Sequence, residues 1–162
     1  MSPDFPFPHR LRASTPEDLL FQSQLYASTR QEELDAAQFP DAMREAFLAM
    51  QFNAQTSHYS QYYPLAGWSI IECEGMRAGR LILDRAPDHF HIMDLALLPE
   101  YRGRGIGTAL LQQVLSEAAA KQLPVRLFAS SGERALGLYR RLGFQMVADD
   151  GVHTELVSRA SA

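Results

Sequence analysis

The stretch Leu95-Ala96-Leu97-Leu98-Pro99-Glu100-Tyr101-Arg102-Gly103-Arg104-Gly105-Ile106-Gly107-Thr108 decides the reading of this chain. It passes from an apolar strand through a glycine-rich turn into a helix. Gly103, Gly105 and Gly107 carry no Cβ, so backbone N–H groups there can close round an oxyanion. The helix that follows turns its positive dipole end and its unpaired N–H groups to the same point. Arg102 and Arg104 add charge and forked donors that suit phosphate. The segment therefore predicts an anion cradle. A dinucleotide fingerprint needs G-x-G-x-x-G, and its third glycine would fall on Thr108 or on Leu110. A P-loop needs Gly-Lys-Ser/Thr, and the only lysine is Lys121. What remains is Arg102-x-x-Gly105-x-Gly107.

Working outward, Gly105 to Lys121 is an amphipathic helix with Ile106, Leu110, Val114 and Ala118 at i, i+4 spacing. Val125 to Ala129 reads as a short buried strand after Pro124. Arg134 to Leu142 reads as a helix closed by Gly143. Phe144 to Ala148 and Val152 to Val157 read as a hairpin round Asp149-Asp150-Gly151. Upstream, Trp68 to Cys73, Arg77 to Asp84 and His89 to Leu97 read as three strands with turns at Gly75 and Pro87-Asp88, an antiparallel meander. Thr15 and Pro16 start a first helix, with acids in its first turn, that runs through Leu25 and Tyr26 towards Arg30. The polar stretch from Gln31 to Asp41, with Pro40, reads as a loop. A second helix follows from about Ala42 to about Tyr62. His9 to Ala13 is a candidate first strand. The order β-α-α-β-β-β-α-β-α-β-β is a single mixed α/β domain over residues 9–162, after an extended proline-rich arm over residues 1–8 that carries Phe5 and Phe7.

A chain of 162 residues holds one domain with a real core. An apolar share of 46% and a charged share of 21% exclude disorder along most of it. Cys73 is the only cysteine, which excludes a disulfide framework and fits a reducing cytoplasm. No apolar run nears the ~20 residues that span a bilayer, so no membrane partner is expected. The first eight residues lack a basic start and an apolar stretch, so they do not read as a signal peptide. The net charge of −4 argues against a nucleic-acid partner. Residues 1–75 carry four arginines against ten acids, and residues 76–162 carry eleven bases against nine. That split is either a chance partition of a solvated surface or a cationic ligand on one side and an anionic one on the other.

The Arg102-x-x-Gly105-x-Gly107 block resembles motif A of the GNAT superfamily of N-acetyltransferases. Downstream, Ala135-Leu136-Gly137-Leu138-Tyr139-Arg140-Arg141-Leu142-Gly143-Phe144 resembles the family's motif B helix, in the right order and about thirty residues later. The specific match covers roughly residues 89–147. The resemblance implies a single GNAT-like domain, a mixed and mostly antiparallel sheet with splayed fourth and fifth strands flanked by helices. It implies acetyl-CoA as co-substrate and transfer of acetyl to a primary amine by direct attack on the thioester. One position departs from the pattern: the asparagine that usually stands three residues before the motif B alanine is Gly132 here, with Ser130 and Ser131 as the neighbouring hydroxyls.

Carried over residue by residue, the resemblance gives the pantetheine contacts to Leu95, Ala96 and Leu97. The diphosphate falls to Arg102, Gly103, Arg104, Gly105, Ile106, Gly107 and Thr108, with Ser130, Ala135 and Tyr139 completing the cofactor site. Tyr139 takes the role of the acid that protonates the departing thiolate. Asp94 is the candidate base, His91 the runner-up, and a water chain without a dedicated base is the third option. The polar and aromatic stretch Gln51 to Tyr63 is either a helix with one core stripe or a wall of the acceptor pocket. Tyr59 within it, with Arg30 and Glu33 on the preceding loop beside Glu32, are candidate acceptor contacts. The acceptor is a small-molecule amine or a peptide amine, and a homodimer is possible. His89 and His91 share a strand face, but no third ligand accompanies them and no metal is expected. Other readings are a non-catalytic acyl-CoA-binding module, a transferase for a longer acyl-CoA, and one that acts on a protein N-terminus.

Overall fold

The computed structural model describes residues 9–130 and 135–159, and among these seven strands and four helices form. They run in the order β1 (His9–Ala13), α1 (Leu19–Ala36), α2 (Asp41–Tyr62), β2 (Gly67–Cys73), β3 (Met76–Arg85), β4 (Phe90–Leu97), α3 (Ile106–Ala120), β5 (Val125–Ser130), α4 (Ala135–Arg141), β6 (Gln145–Asp149) and β7 (His153–Ser158). The arm that carries Phe5 and Phe7 lies outside the described residues, as do Ser131 and Gly132. The strands make one sheet in the order β1-β2-β3-β4-β5-β7-β6. Every neighbouring pair is antiparallel except β4 with β5, which the α3 crossover makes parallel.

The element order expected from the sequence holds, with one boundary corrected. Residues 31–36 are helical, so α1 runs to Ala36, and Arg30, Glu32 and Glu33 stand on a helix rather than on a loop. The run Gln31-Glu32-Glu33-Leu34-Asp35-Ala36 contains no breaker, and most of these residues favour a helix. The helix stops at Gln38, whose φ of 53° is left-handed. The N–H of Phe39 then reaches the Leu34 carbonyl and that of Gln38 the Asp35 carbonyl. This is the reverse turn that glycine usually closes, here made by glutamine. Gln122 ends α3 in the same way, with φ 58°. Pro40 does not interrupt a loop; it sits just before the first residue of α2.

The core lies on both faces of the sheet. On one face Phe90, Ile92, Val125, Leu127 and Leu156 pack with Val114 and Ala118 of α3. On the other, α1 and α2 bring Leu25 and Phe52 over the sheet. Cys73 is buried and free. Among the described residues no helix is long and apolar enough to cross a membrane.

Two irregularities prepare the site. The β3–β4 register jumps from Ile82↔Asp94 to Leu83↔Ile92, so Met93 is an extra, bulged residue in β4. The β4–β5 ladder stops at Ile92↔Leu127, although β5 stays paired with β7 as far as Ser130. Beyond Ile92 the strands part, and a gap opens inside the sheet.

Candidate active site

The glycine turn leads from the end of β4 into α3. Gly103 and Gly105 have φ of +73° and +85°, a left-handed backbone that a Cβ would strain. A Cβ built on Gly103, Gly105 or Gly107 meets nothing within 4 Å, so the space in front of the turn is open. Gly105 caps α3, and its carbonyl accepts from the Ala109 N–H at 3.0 Å. The N–H groups ahead of Ala109 have no acceptor within the helix. Among the described residues, no N–H from Gly103 to Thr108 donates to a backbone carbonyl in the turn. The Arg102 Nε donates to the Leu97 carbonyl at 3.0 Å, which folds this side chain back over the end of β4. The Arg104 guanidinium lies 5.5 Å from the centre of the Tyr101 ring.

Where β4 and β5 part, a cavity of about 440 Å³ passes through the sheet. Leu95, Leu111, Leu127, Ala129 and Tyr139 line it on the α3 side. Gln55, Tyr59, Tyr63, His91, Asp94 and Phe128 line it on the α2 side. The backbone of β4 borders this gap, with the Leu97 carbonyl taken by the Arg102 guanidinium. Leu98 donates to the Ala78 carbonyl, and antiparallel bonding alternates along the strand. Ala96 and Asp94 therefore face β3, while the backbone groups of Leu95 and Leu97 face the gap.

Tyr139 is fixed by the way α4 ends. Gly143, with φ +98°, reverses the chain. The Phe144 N–H then reaches the Tyr139 carbonyl at 3.0 Å, and the Gly143 N–H reaches that of Arg140 at 3.1 Å. The Phe144 ring, itself in the core, stands edge-on to the Tyr139 ring with centres 5.9 Å apart. The sequence pattern Tyr-x-x-x-Gly-Phe thus holds a phenol in place at the cavity wall.

The bulge at Met93 decides what the α2 side presents. Strict alternation puts residues 91 and 94 on opposite faces, whereas one extra residue brings both His91 and Asp94 to the α2 face. Asp94 Oδ2 accepts from the Arg80 Nε at 2.6 Å, and its Oδ1 has no partner among the described residues. The Arg80 side chain is only 2% exposed. It also donates to Gln22 of α1 at 3.2 Å and to Gln55 of α2 at 2.8 Å. Its guanidinium lies against the rings of Phe52 and Trp68. One buried cation thus ties both helices to β3 and β4 and fixes the orientation of the Asp94 carboxylate. The Tyr59 hydroxyl donates to the Met93 carbonyl at 3.3 Å. Burial, reinforced by the charge of Asp94, pushes the Tyr59 phenol up to about 12. Burial first, then the nearby positive charge of Arg126, brings His91 down to about 4. His91 is therefore neutral near pH 7, and its buried Nδ1 has no partner among the described residues.

The structure thus gathers Asp94, Leu95, Tyr139 and Tyr59 round one cavity, with Ala96 and Leu97 following on the same strand. Arg102 to Thr108 form the turn beyond it, Ala135 opens α4, and Ser130 ends β5. Arg30 and Glu33 do not line this cavity. They pair with each other at 2.7 Å, and Arg30 also binds Tyr26 and Gln51. His89 precedes β4 and binds the neighbouring Asp88. Among the described residues no three His, Cys, Asp or Glu side chains come together as a metal site. Reasoning from sequence missed Arg80 and Phe128, and held Gln55 and Tyr63 only within the stretch Gln51 to Tyr63 offered as a pocket wall. A charge inside the apolar run Ala78-Gly79-Arg80-Leu81-Ile82-Leu83 was the available signal, because a charge in a buried strand needs a partner.

Comparison with known proteins places this geometry. The model of the acetyltransferase (GNAT) family matches residues 25–144. A Bacillus subtilis (strain 168) protein named for alanine N-acetylation of ribosomal protein bS18 is 32% identical over 85 residues, 51% of this chain and 56% of that protein. The match thus spans little more than half of that relative's length. The PaiA N-acetyltransferase from Thermoplasma acidophilum, solved in complex with coenzyme A, superposes with a TM-score of 0.73 over 94% of this chain and 99% of its own, at 17% identity. A GNAT family acetyltransferase from Elizabethkingia anophelis, solved with acetyl-CoA bound, does so with a TM-score of 0.57 over 93% and 97%, also at 17% identity.

Proposed function

The chain belongs to the GNAT acetyltransferase family, and we propose that it transfers acetyl from acetyl-CoA to a primary amine. The observation that carries this reading is the cavity through the β4–β5 gap, which joins the phenol of Tyr139 on one face of the sheet to the carboxylate of Asp94 on the other.

Acetyl-CoA fits the residues present. The N–H groups of the Gly103–Thr108 turn, with the dipole of α3 behind them, hold the diphosphate. The gap-facing backbone groups of Leu95, with the Leu97 N–H, pair with the pantetheine arm, which places the thioester in the gap. Asp94 Oδ1 takes up the acceptor's ammonium, and the carboxylate or a water beside it receives the proton that must leave before attack. The amine nitrogen then bonds to the thioester carbon while the carbon–sulfur bond breaks. The Leu95 N–H faces the developing oxyanion. Tyr139 gives its hydroxyl proton to the departing thiolate, and the second proton lost by the acylated nitrogen restores the phenol. Holding amine and thioester together in one cavity supplies much of the rate.

The experiment is thiol release from acetyl-CoA, measured with a free-thiol reagent across a panel of primary amines. Amine-dependent release at steady turnover supports the reading. Binding of acetyl-CoA without release from any amine would show a binding module instead.

A further inference from the structure

We propose that the acceptor is a small monoamine carrying a flat ring, with its ammonium on Asp94 and its ring against the wall formed by Tyr63, His91 and Phe128. This rests on the transferase reading and names the substrate class of the same cavity.

The first observation is a half-exposed aromatic. Phe128 lies on β5, inside the sheet, yet is 49% exposed. Its neighbours Leu127 and Ala129 are buried on the α3 side, so Phe128 faces the α2 side at the gap. The Arg126 guanidinium lies 5.4 Å from the centre of its ring and His91 stands edge-on to it, and the described chain leaves the rest of the ring open. An apolar face left open in a cavity wall is a contact surface for a ligand.

The second observation is how the rings are ordered. His91 stands edge-on to Tyr63 at 5.6 Å and edge-on to Phe128 at 5.7 Å, counted between ring centres. The three rings run from the end of α2 across β4 to β5 along the cavity wall. His91 belongs to this track only because the bulge at Met93 sets it on the same face as Asp94. The carboxylate therefore lines the same side of the cavity as this band of neutral rings. Those rings offer stacking and edge-to-face contacts to a planar body.

The third observation is charge. Among the described residues that line the cavity, Asp94 is the only carboxylate, and one of its oxygens is committed to Arg80. Tyr59 stays a neutral phenol and His91 a neutral imidazole at pH 7, so neither adds a charge. One free oxygen serves one ammonium. A polyamine would bring further charges into a wall that supplies no counter-charge. A plain alkylamine would satisfy Asp94 but leave the ring track half used.

The test compares four acceptors at pH 7.5: 2-phenylethylamine, hexylamine, spermidine and a peptide that begins with alanine. The readouts are kcat/KM by thiol release and, independently, binding of each amine to the free chain by calorimetry. The expected result is a kcat/KM for 2-phenylethylamine at least tenfold above each of the others, with the same order in binding. The Phe128→Ala and Tyr63→Ala variants should shrink the ratio of 2-phenylethylamine to hexylamine by at least fivefold. Spermidine or the peptide as the best acceptor, or a ratio near one in the unaltered protein, would overturn the inference while leaving acetyl transfer in place. Ring-selective binding with no thiol release would do the opposite: the acceptor class would stand and the transferase reading would fall.

Discussion

Replacing Arg80 with methionine tests whether one buried cation organises the acceptor side. The side chain, 2% exposed, makes three hydrogen bonds, at 2.6 Å to Asp94, 3.2 Å to Gln22 and 2.8 Å to Gln55. Methionine keeps most of the apolar contact with Phe52 and Trp68 but strands a carboxylate and two amide oxygens. Breaking a fully buried pair costs about 3–5 kcal/mol. Asp94 is 26% exposed, so water recovers part of its solvation, and a net loss of about 2–3 kcal/mol is the working figure. For a chain of this size that lowers Tm by about 4–10 °C. Differential scanning calorimetry reads the shift directly. The kcat/KM for the acceptor should fall at least tenfold while acetyl-CoA affinity is retained, because the cradle lies on the other side of the gap. Arg80→Lys should lie between the two proteins, since it keeps the charge but cannot reach three partners with one planar fork. A Tm within about 2 °C of the parent, or an unaltered kcat/KM, would refute the reasoning.

Three further perturbations bear on separate parts of the site. Tyr139→Phe should lower kcat at least tenfold with CoA binding preserved, because only the proton donor is removed; unchanged turnover in a steady-state assay takes Tyr139 out of the mechanism. Gly105→Val should weaken CoA at least tenfold by titration calorimetry, since it strains a φ of +85° and fills the open space before the turn; undiminished affinity discards the cradle. His91, brought down to about 4 from an ordinary 6.5, is protonated more readily in the unfolded chain, so its contribution is intact above pH 6.5 and is lost as pH falls towards 4. The His91→Gln variant should therefore flatten the fall in stability over that window by about 2–3 kcal/mol, read from urea midpoints at pH 7 and pH 4.5; parallel profiles in the two proteins count against a buried neutral imidazole.

The residues that were legible in the sequence act through local geometry. Glycines at left-handed positions, an amphipathic helix at a period of 3.6, and a Tyr-x-x-x-Gly-Phe helix end all write their structure into a few neighbouring positions. Hence the turn at Gly103–Gly107, the length of α3 and the placing of Tyr139 could be read before any coordinates. The end of α1 could not. Glutamine adopts the left-handed conformation at residues 38 and 122, where a reader looks for glycine, so the helix seemed to stop at the first polar run. The bulge at Met93 was equally silent, because no residue there demands it. It arises from pairing with β3, and it alone decides that His91 and Asp94 share a face. Arg80 carried a visible signal, but its partners are 14 to 58 residues away in the chain, and only the fold brings them together. Arg30 and Glu33 have acceptor-like chemistry, yet their charges are already spent on each other and on α2.

The most direct measurement is a crystal structure of the chain with coenzyme A. The expected result has the diphosphate on the N–H groups of Gly103 to Thr108, the pantetheine arm against Leu95 and Leu97, and the sulfur within reach of the Tyr139 hydroxyl, facing Asp94 across the gap. A coenzyme that lies outside the β4–β5 opening, with its sulfur remote from Tyr139, would contradict the account.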